Sequence, residues 1–116
     1  MKMMLITPVE GFTSQSIILN LTIKEDTKRC NLTLNYMEKT GKWYCSLSNL
    51  QTGEVYLTNV PVLCSYGDIG NDLWLPYYYK NIGMLFCFPR VAELSTEDPS
   101  EDNLNEFALV WSDGIE

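Results

Sequence analysis

Histidine is absent from this chain of 116 residues. Its absence removes the side chain most used as general base, proton shuttle and metal ligand. It also rules out Ser-His and Cys-His nucleophilic pairs. Positive charge is scarce: eight Lys and Arg stand against fifteen Asp and Glu, a net charge of −7. Nucleic-acid binding needs cations to neutralise phosphates, and anionic lipid surfaces attract cations for the same reason. Neither nucleic acid nor membrane is therefore expected as a partner. Long apolar runs are missing as well. Met84-Leu85-Phe86-Cys87-Phe88 is among the longest, against the ~20 residues that span a bilayer. The apolar start, Leu5-Ile6 closed by Pro8 and Glu10, is too short for an export signal. The expectation is a chain made and kept in a cytoplasm.

Cysteine is present but not in metal-binding order. Cys30, Cys45, Cys64 and Cys87 are widely spaced, and none forms a Cys-x-x-Cys pair. Each lies in an apolar, strand-like context, where a reduced Cys packs as a small hydrophobe. No phosphate-binding glycine loop occurs. Tyr66-Gly67-Asp68-Ile69-Gly70-Asn71-Asp72 loosely suggests a calcium loop, but the twelve-residue pattern ending in a bidentate Glu is not there, and an Asx-type turn is the expectation. A carboxylate pair for glycoside hydrolysis is open to any acidic chain, yet acids in such loops are solvated. No catalytic residues, cofactor or metal are assigned, and the chain is not expected to be an enzyme.

What the chain does contain is alternation with a period of two. Ile17, Leu19, Leu21 and Ile23 fall on one face; so do Leu32, Leu34 and Tyr36, and then Trp43, Cys45 and Leu47. Such patterning marks half-buried strands. Short polar turns join them: Glu25 to Lys28, Glu38 to Gly41 and Gln51 to Glu54, the latter two carrying the Gly that hairpin loops favour. A four-stranded antiparallel meander follows, its last strand, Val55 to Thr58, extendable through Asn59 to Cys64 only at an edge because Pro61 lacks an amide donor. Residues 65–72 read as loop. Gly83 to Phe88 and Phe107 to Trp111 read as later strands, separated by an acidic loop, 93–105, around Pro99. The fold class expected is all-β: a small single-domain antiparallel β-sandwich or partly open barrel of about seven strands. Residues 1–13 read as an N-terminal extension, and 14–116 as the domain.

Six of the fourteen aromatic residues fall between Trp74 and Phe88. On an extended segment, Tyr77, Tyr78 and Tyr79 cannot all face one core, because successive side chains alternate sides. Tyr and Trp are enriched at interface hot spots. Trp74, Tyr77, Tyr78 and Tyr79 are therefore the candidate interface residues.

The order of features resembles a known family. Gln15 opens a long alternating strand. There follow Asn35-Tyr36, Gly41-Lys42-Trp43, a second turn at Gly53, a middle loop with Leu73, Gly83 opening a β run, a late loop with Pro99, Leu104, and the closing strand Leu109-Val110-Trp111. Over roughly residues 14–111 this resembles the baseplate plug family of contractile phage tails and related bacteriocin-like particles. The triple Tyr and the four Cys are not part of that pattern. The resemblance implies a small non-catalytic β domain in the central baseplate, present in multiple copies. Its neighbours would be other baseplate proteins: the hub, the spike and the end of the tail tube. It implies a place in the virion or tail particle after assembly in the bacterial cytoplasm. The alternative is a stand-alone β-sandwich binding module for carbohydrate or peptide, with Trp74 and a Tyr forming a groove.

Overall fold

The computed structural model describes residues 3–9, 12–65, 71–90 and 98–114. Seven strands occur among them: β1 (Met3–Ile6), β2 (Ser14–Ile23), β3 (Asp26–Met37), β4 (Lys42–Asn49), β5 (Val55–Pro61), β6 (Met84–Pro89) and β7 (Phe107–Ser112). They form two open antiparallel sheets, one ordered β2-β3-β4-β5 and the other β1-β7-β6. The expected meander is the first sheet. Leu21, Leu32, Leu34 and Leu47 on that sheet, and Leu85, Phe107 and Leu109 on the other, belong to a single buried cluster. Two sheets burying one shared core make a sandwich rather than a closed barrel.

Local chemistry sets the turns. The first hairpin is tighter than its sequence suggests: only Lys24 and Glu25 lie between β2 and β3, and Lys24 takes the positive φ (57°) that a two-residue loop requires. Asp26 to Lys28 belong to β3 instead, with Thr22 and Thr27 hydroxyls 2.9 Å apart across the ladder. Buried Asn49 builds the third turn. Its Oδ1 accepts the amides of Gln51 and Thr52 at 2.8 and 3.1 Å, and its Nδ2 donates to the Tyr56 hydroxyl at 3.0 Å. A buried amide satisfied on both sides in this way fixes the loop without an orphaned polar group.

The stretch read as an N-terminal extension, 1–13, contributes a strand. Met3 to Ile6 pair with Ser112 to Leu109 of β7. Ile6 is buried while Met3 and Leu5 point outward. Four residues are too few for periodicity to announce a strand. The β1–β2 connection is held by Gln15, whose side-chain amide takes the Val9 amide at 2.8 Å and reaches the Val9 and Phe12 carbonyls at 3.2 and 3.3 Å.

Of the acidic loop 93–105, residues 93–97 lie outside the described residues. The remainder is anchored. Pro99 is fully buried, and the Ser100 carbonyl accepts the Trp43 indole N–H at 2.6 Å. Asp98 accepts the Cys64 amide at 2.8 Å and meets Lys42 Nζ at 3.4 Å. Leu104–Glu106 then form a single 3-10 turn with Leu104 buried.

All four Cys are buried free thiols. Burial disfavours the thiolate and raises every one, Cys45 to about 11 from its ordinary 9.0. At pH 8 the folded protein should therefore react far more slowly with iodoacetamide than the unfolded chain, which should take four labels by mass spectrometry. Two native thiols labelled as fast as free cysteine would overturn this. Because its folded value is raised, Cys45's contribution to stability is whole below about 9 and declines as pH climbs toward 11.

Candidate functional site: the tyrosine turn

The connection from the first sheet to β6 ends in a compact turn rather than an extended segment. Asp72 Oδ1 accepts the amides of Trp74 at 3.0 Å and Leu85 at 3.1 Å. That bends the chain and ties it to the edge of β6. Residues Leu75–Lys80 follow as a kinked 3-10 helix, irregular at Tyr77. Pro76 suits its first turn, where no amide donor is required. Asn81, at φ 57° and ψ 48°, closes it in the left-handed region, its N–H donating to the Tyr78 carbonyl at 3.1 Å.

The turn separates the four predicted interface residues. Trp74 is a core residue, 0% exposed. Its indole N–H is buried without a properly formed hydrogen bond; it lies beside the Cys45 sulfur, a weak acceptor, and pulls that thiol's pKa down against the larger upward effect of burial. Tyr77 is half-buried and packs on the core. Tyr78 and Tyr79 are 75% and 68% exposed, with their rings edge to face at 6.2 Å. Leu75, which sequence reasoning did not single out, is 61% exposed on the same turn. Phe86 and Phe88 stack on each other at 5.9 Å on the outer side of β6 and do not join this group in a ring contact.

Lys80 staples the turn to the four-stranded sheet. Its Nζ donates to the Tyr56 carbonyl at 2.6 Å and lies 5.7 and 5.9 Å from the ring centres of Tyr77 and Tyr79. Cation–π contacts of this kind are worth about 0.5–1 kcal/mol at exposed sites. Trp74 and Ile82, both fully buried, hold the ends of the segment. Exposed Leu75, Tyr78 and Tyr79 are thus presented on a backbone fixed at both ends. A groove of about 440 Å³ runs on one side, lined by Val60, Pro61, Leu63, Leu73 and Tyr77 among others. Another of about 310 Å³, bordered by Ile23, Tyr78 and Met84, lies on the other side. Leu75 borders both, so it forms the ridge between them.

This arrangement suits docking. Among the described residues no group of three or more Cys, Asp or Glu is placed to hold a metal. Asp68, from the loosely calcium-like loop, lies outside the described residues, and Asp72 is engaged with two backbone amides. The thiols are buried and shifted away from the thiolate that nucleophilic chemistry uses. Among the described residues no helix is long and apolar enough to cross a membrane.

The family described as Cyanophage baseplate Pam3 plug gp18 matches residues 4–114. The chain belongs to this baseplate plug family. No curated protein matches it. The match takes in Met4 to Ile6 of β1 as well as the region from Gln15 to Trp111 that carried the resemblance. Membership makes the chain a structural component of a phage tail baseplate, associated with other baseplate proteins in the tail particle, and its family is a structural rather than an enzymatic one.

Proposed function

We propose that the chain is the plug of a contractile phage or phage-tail-like particle, packed near the tube end, hub and spike, in multiple copies and assembled in the bacterial cytoplasm. We place one of its contacts with neighbouring baseplate subunits on the 75–80 turn. The observation that carries this is the exposure of Leu75, Tyr78 and Tyr79 on a turn held by Asp72 and Lys80. Exposed Tyr offers large contact area at low entropic cost. A backbone already fixed loses little more freedom on docking. Tyr77 supports this surface from below. Trp74 plays no part in it except as an anchor, which also removes the stacking platform that a carbohydrate-binding reading requires.

Changing Tyr78 and Tyr79 to Ser should leave the melting curve within a few degrees of the parent, since both rings are outside the core. Incorporation into tails should fall more than about tenfold, as expected when an anchor worth about 2 kcal/mol is lost. The readout is co-purification of tagged variants with assembled tails, beside circular dichroism of each free protein. Folded variants that assemble at the parent level would move the docking surface elsewhere. A parent chain that never co-purifies with any tail component would defeat the plug reading itself.

A further inference from the structure

An unpaired row of backbone N–H and C=O groups is a template for any strand that meets it, and folded proteins usually blunt such edges. Two open sheets have four edges, and three are blunted here. Along β6, Ser65 N–H donates to the Cys87 carbonyl at 2.7 Å, Leu73 N–H donates to the Leu85 carbonyl at 2.8 Å, and Asp72 accepts the Leu85 amide. Along β5, the pairing with β4 shifts register, Asn59 takes φ 51°, Pro61 lacks a donor and Lys80 occupies the Tyr56 carbonyl. β1 is only four residues long.

β2 has none of these devices. It runs ten residues, Ser14–Ile23, in unbroken register against β3. It contains no charged residue, no Pro and no Gly. No other described strand pairs with it. Its hairpin fixes which groups face outward. Ile23 and Asp26 flank a two-residue loop, so odd-numbered residues of β2 exchange bonds with β3. The Thr13 carbonyl, accepting the Tyr36 amide at 2.9 Å, continues that pattern. The amides and carbonyls of Ser14, Ser16, Ile18, Asn20 and Thr22 therefore point away from the sheet. Ile18, at the centre, is 57% exposed.

We propose that β2 pairs edge to edge with β2 of a second copy, antiparallel about Ile18, so that two four-stranded sheets become one continuous sheet. In that register Ile18 lies opposite Ile18, Ser16 opposite Asn20 and Ser14 opposite Thr22 on the outer face. On the core-facing side, half-buried Ile17 lies opposite Leu19. Like meets like in polarity at every outer position, which is what a two-fold, self-complementary contact demands. Charge on β2 does not oppose the contact. Each chain carries a net −7, so copies repel in general; β2 is a place where two of them meet without bringing acids together. The proposed pairing spans Ser14 to Thr22; only Ile23, at the end of β2, borders the smaller groove beside Tyr78, and the inference does not depend on that docking site.

Analytical ultracentrifugation of the full chain tests the pairing. The parent should show a concentration-dependent monomer–dimer equilibrium. Ile18→Lys sets two ammonium groups on the axis, and the dimer dissociation constant should rise at least about tenfold, with an unchanged circular dichroism spectrum. Ser16→Pro removes an outward amide while sparing the bonds to β3, and should weaken the dimer likewise, so a folding failure in one variant leaves the other to decide. A parent that stays monomeric up to about 1 mM overturns the proposal, as does a dimer whose affinity neither folded variant changes. A monomeric parent whose Ile18→Lys variant nonetheless fails to enter tails would also overturn it, and would assign the edge to a strand from another baseplate protein.

Discussion

Gly83→Ala is expected to lower the melting temperature by about 8–20 °C or to prevent folding. Gly83 sits at φ +87°, a conformation that costs an L-residue about 1–2 kcal/mol. Strain is the smaller part of the effect. An added Cβ would lie 2.5 Å from the Ser112 carbonyl oxygen and 2.6 Å from Trp111 Nε1. The first is backbone and cannot yield without prising β6 from β7, because the next residue, Met84, pairs with Ser112. The second is tied down by its own bond to the Ile82 carbonyl at 2.8 Å. Overpacking of this kind costs about 1–3 kcal/mol, which with the strain gives about 2–5 kcal/mol in all. A small domain has only ~5–15 kcal/mol to lose, and each kcal/mol shifts melting by about 4 °C at this size. Gly53→Ala is the control: φ is +77°, but nothing lies within 4 Å of the added atom. It should show the strain alone. Equal melting temperatures for the two variants would show that the β6–β7 junction gives way more easily than its geometry implies.

The strands were legible in the sequence wherever one face is buried along a regular ladder. Ile17 to Ile23, Leu32 to Tyr36 and Trp43 to Leu47 alternate in the chain, and their odd or even members are turned to the core as that alternation requires. Where tertiary contacts override the local pattern, the sequence was silent. β1 exists because β7 has a free edge for it, which four residues cannot disclose. The turn at Leu75–Lys80 reads equally well as extended chain, since Pro76 is at home in both. The signal that separates the two is Asp72, two residues before Trp74: an Asp side chain accepting the amide two positions on is an Asx turn, and it bends the chain out of an extended path. Trp74 was assigned to the interface because Tyr and Trp are enriched at hot spots, and it lies in the core instead. A buried indole N–H nearly always has a partner, and this one faces no proper acceptor. Half of the candidate interface, Tyr78 and Tyr79, lies on the exposed face of the turn, while Leu75 escaped notice because a single Leu beside Pro76 looks like core.

Trp43→Ala should cost about 3–5 kcal/mol, the usual range for emptying a large aromatic site. The ring is 1% exposed and sits beneath the described end of the acidic loop. Tyr36, its partner across the β3–β4 ladder, packs on it at 5.7 Å with the planes tilted by 60°. The indole N–H reaches the Ser100 carbonyl at 2.6 Å, fixing residues next to buried Pro99. Two effects are therefore combined, a cavity in the core and a released loop. Trp43→Phe separates them. It keeps most of the apolar volume and loses the hydrogen bond, which is worth about 0.5–1.5 kcal/mol. That variant should stay folded near its parent's melting temperature while proteolysis around 98–103 quickens. Thermal melts and timed digestion of both variants read the two effects independently. A melting temperature unchanged in Trp43→Ala would mean that the core collapses around the missing ring at little cost. Unchanged cleavage in Trp43→Phe would mean that Pro99 and the Asp98 bonds to Cys64 and Lys42 hold the loop without the indole. Since Trp43 contributes to neither groove beside Leu75, Trp43→Phe should still enter tails at the parent level, separating loss of the loop anchor from loss of the docking face.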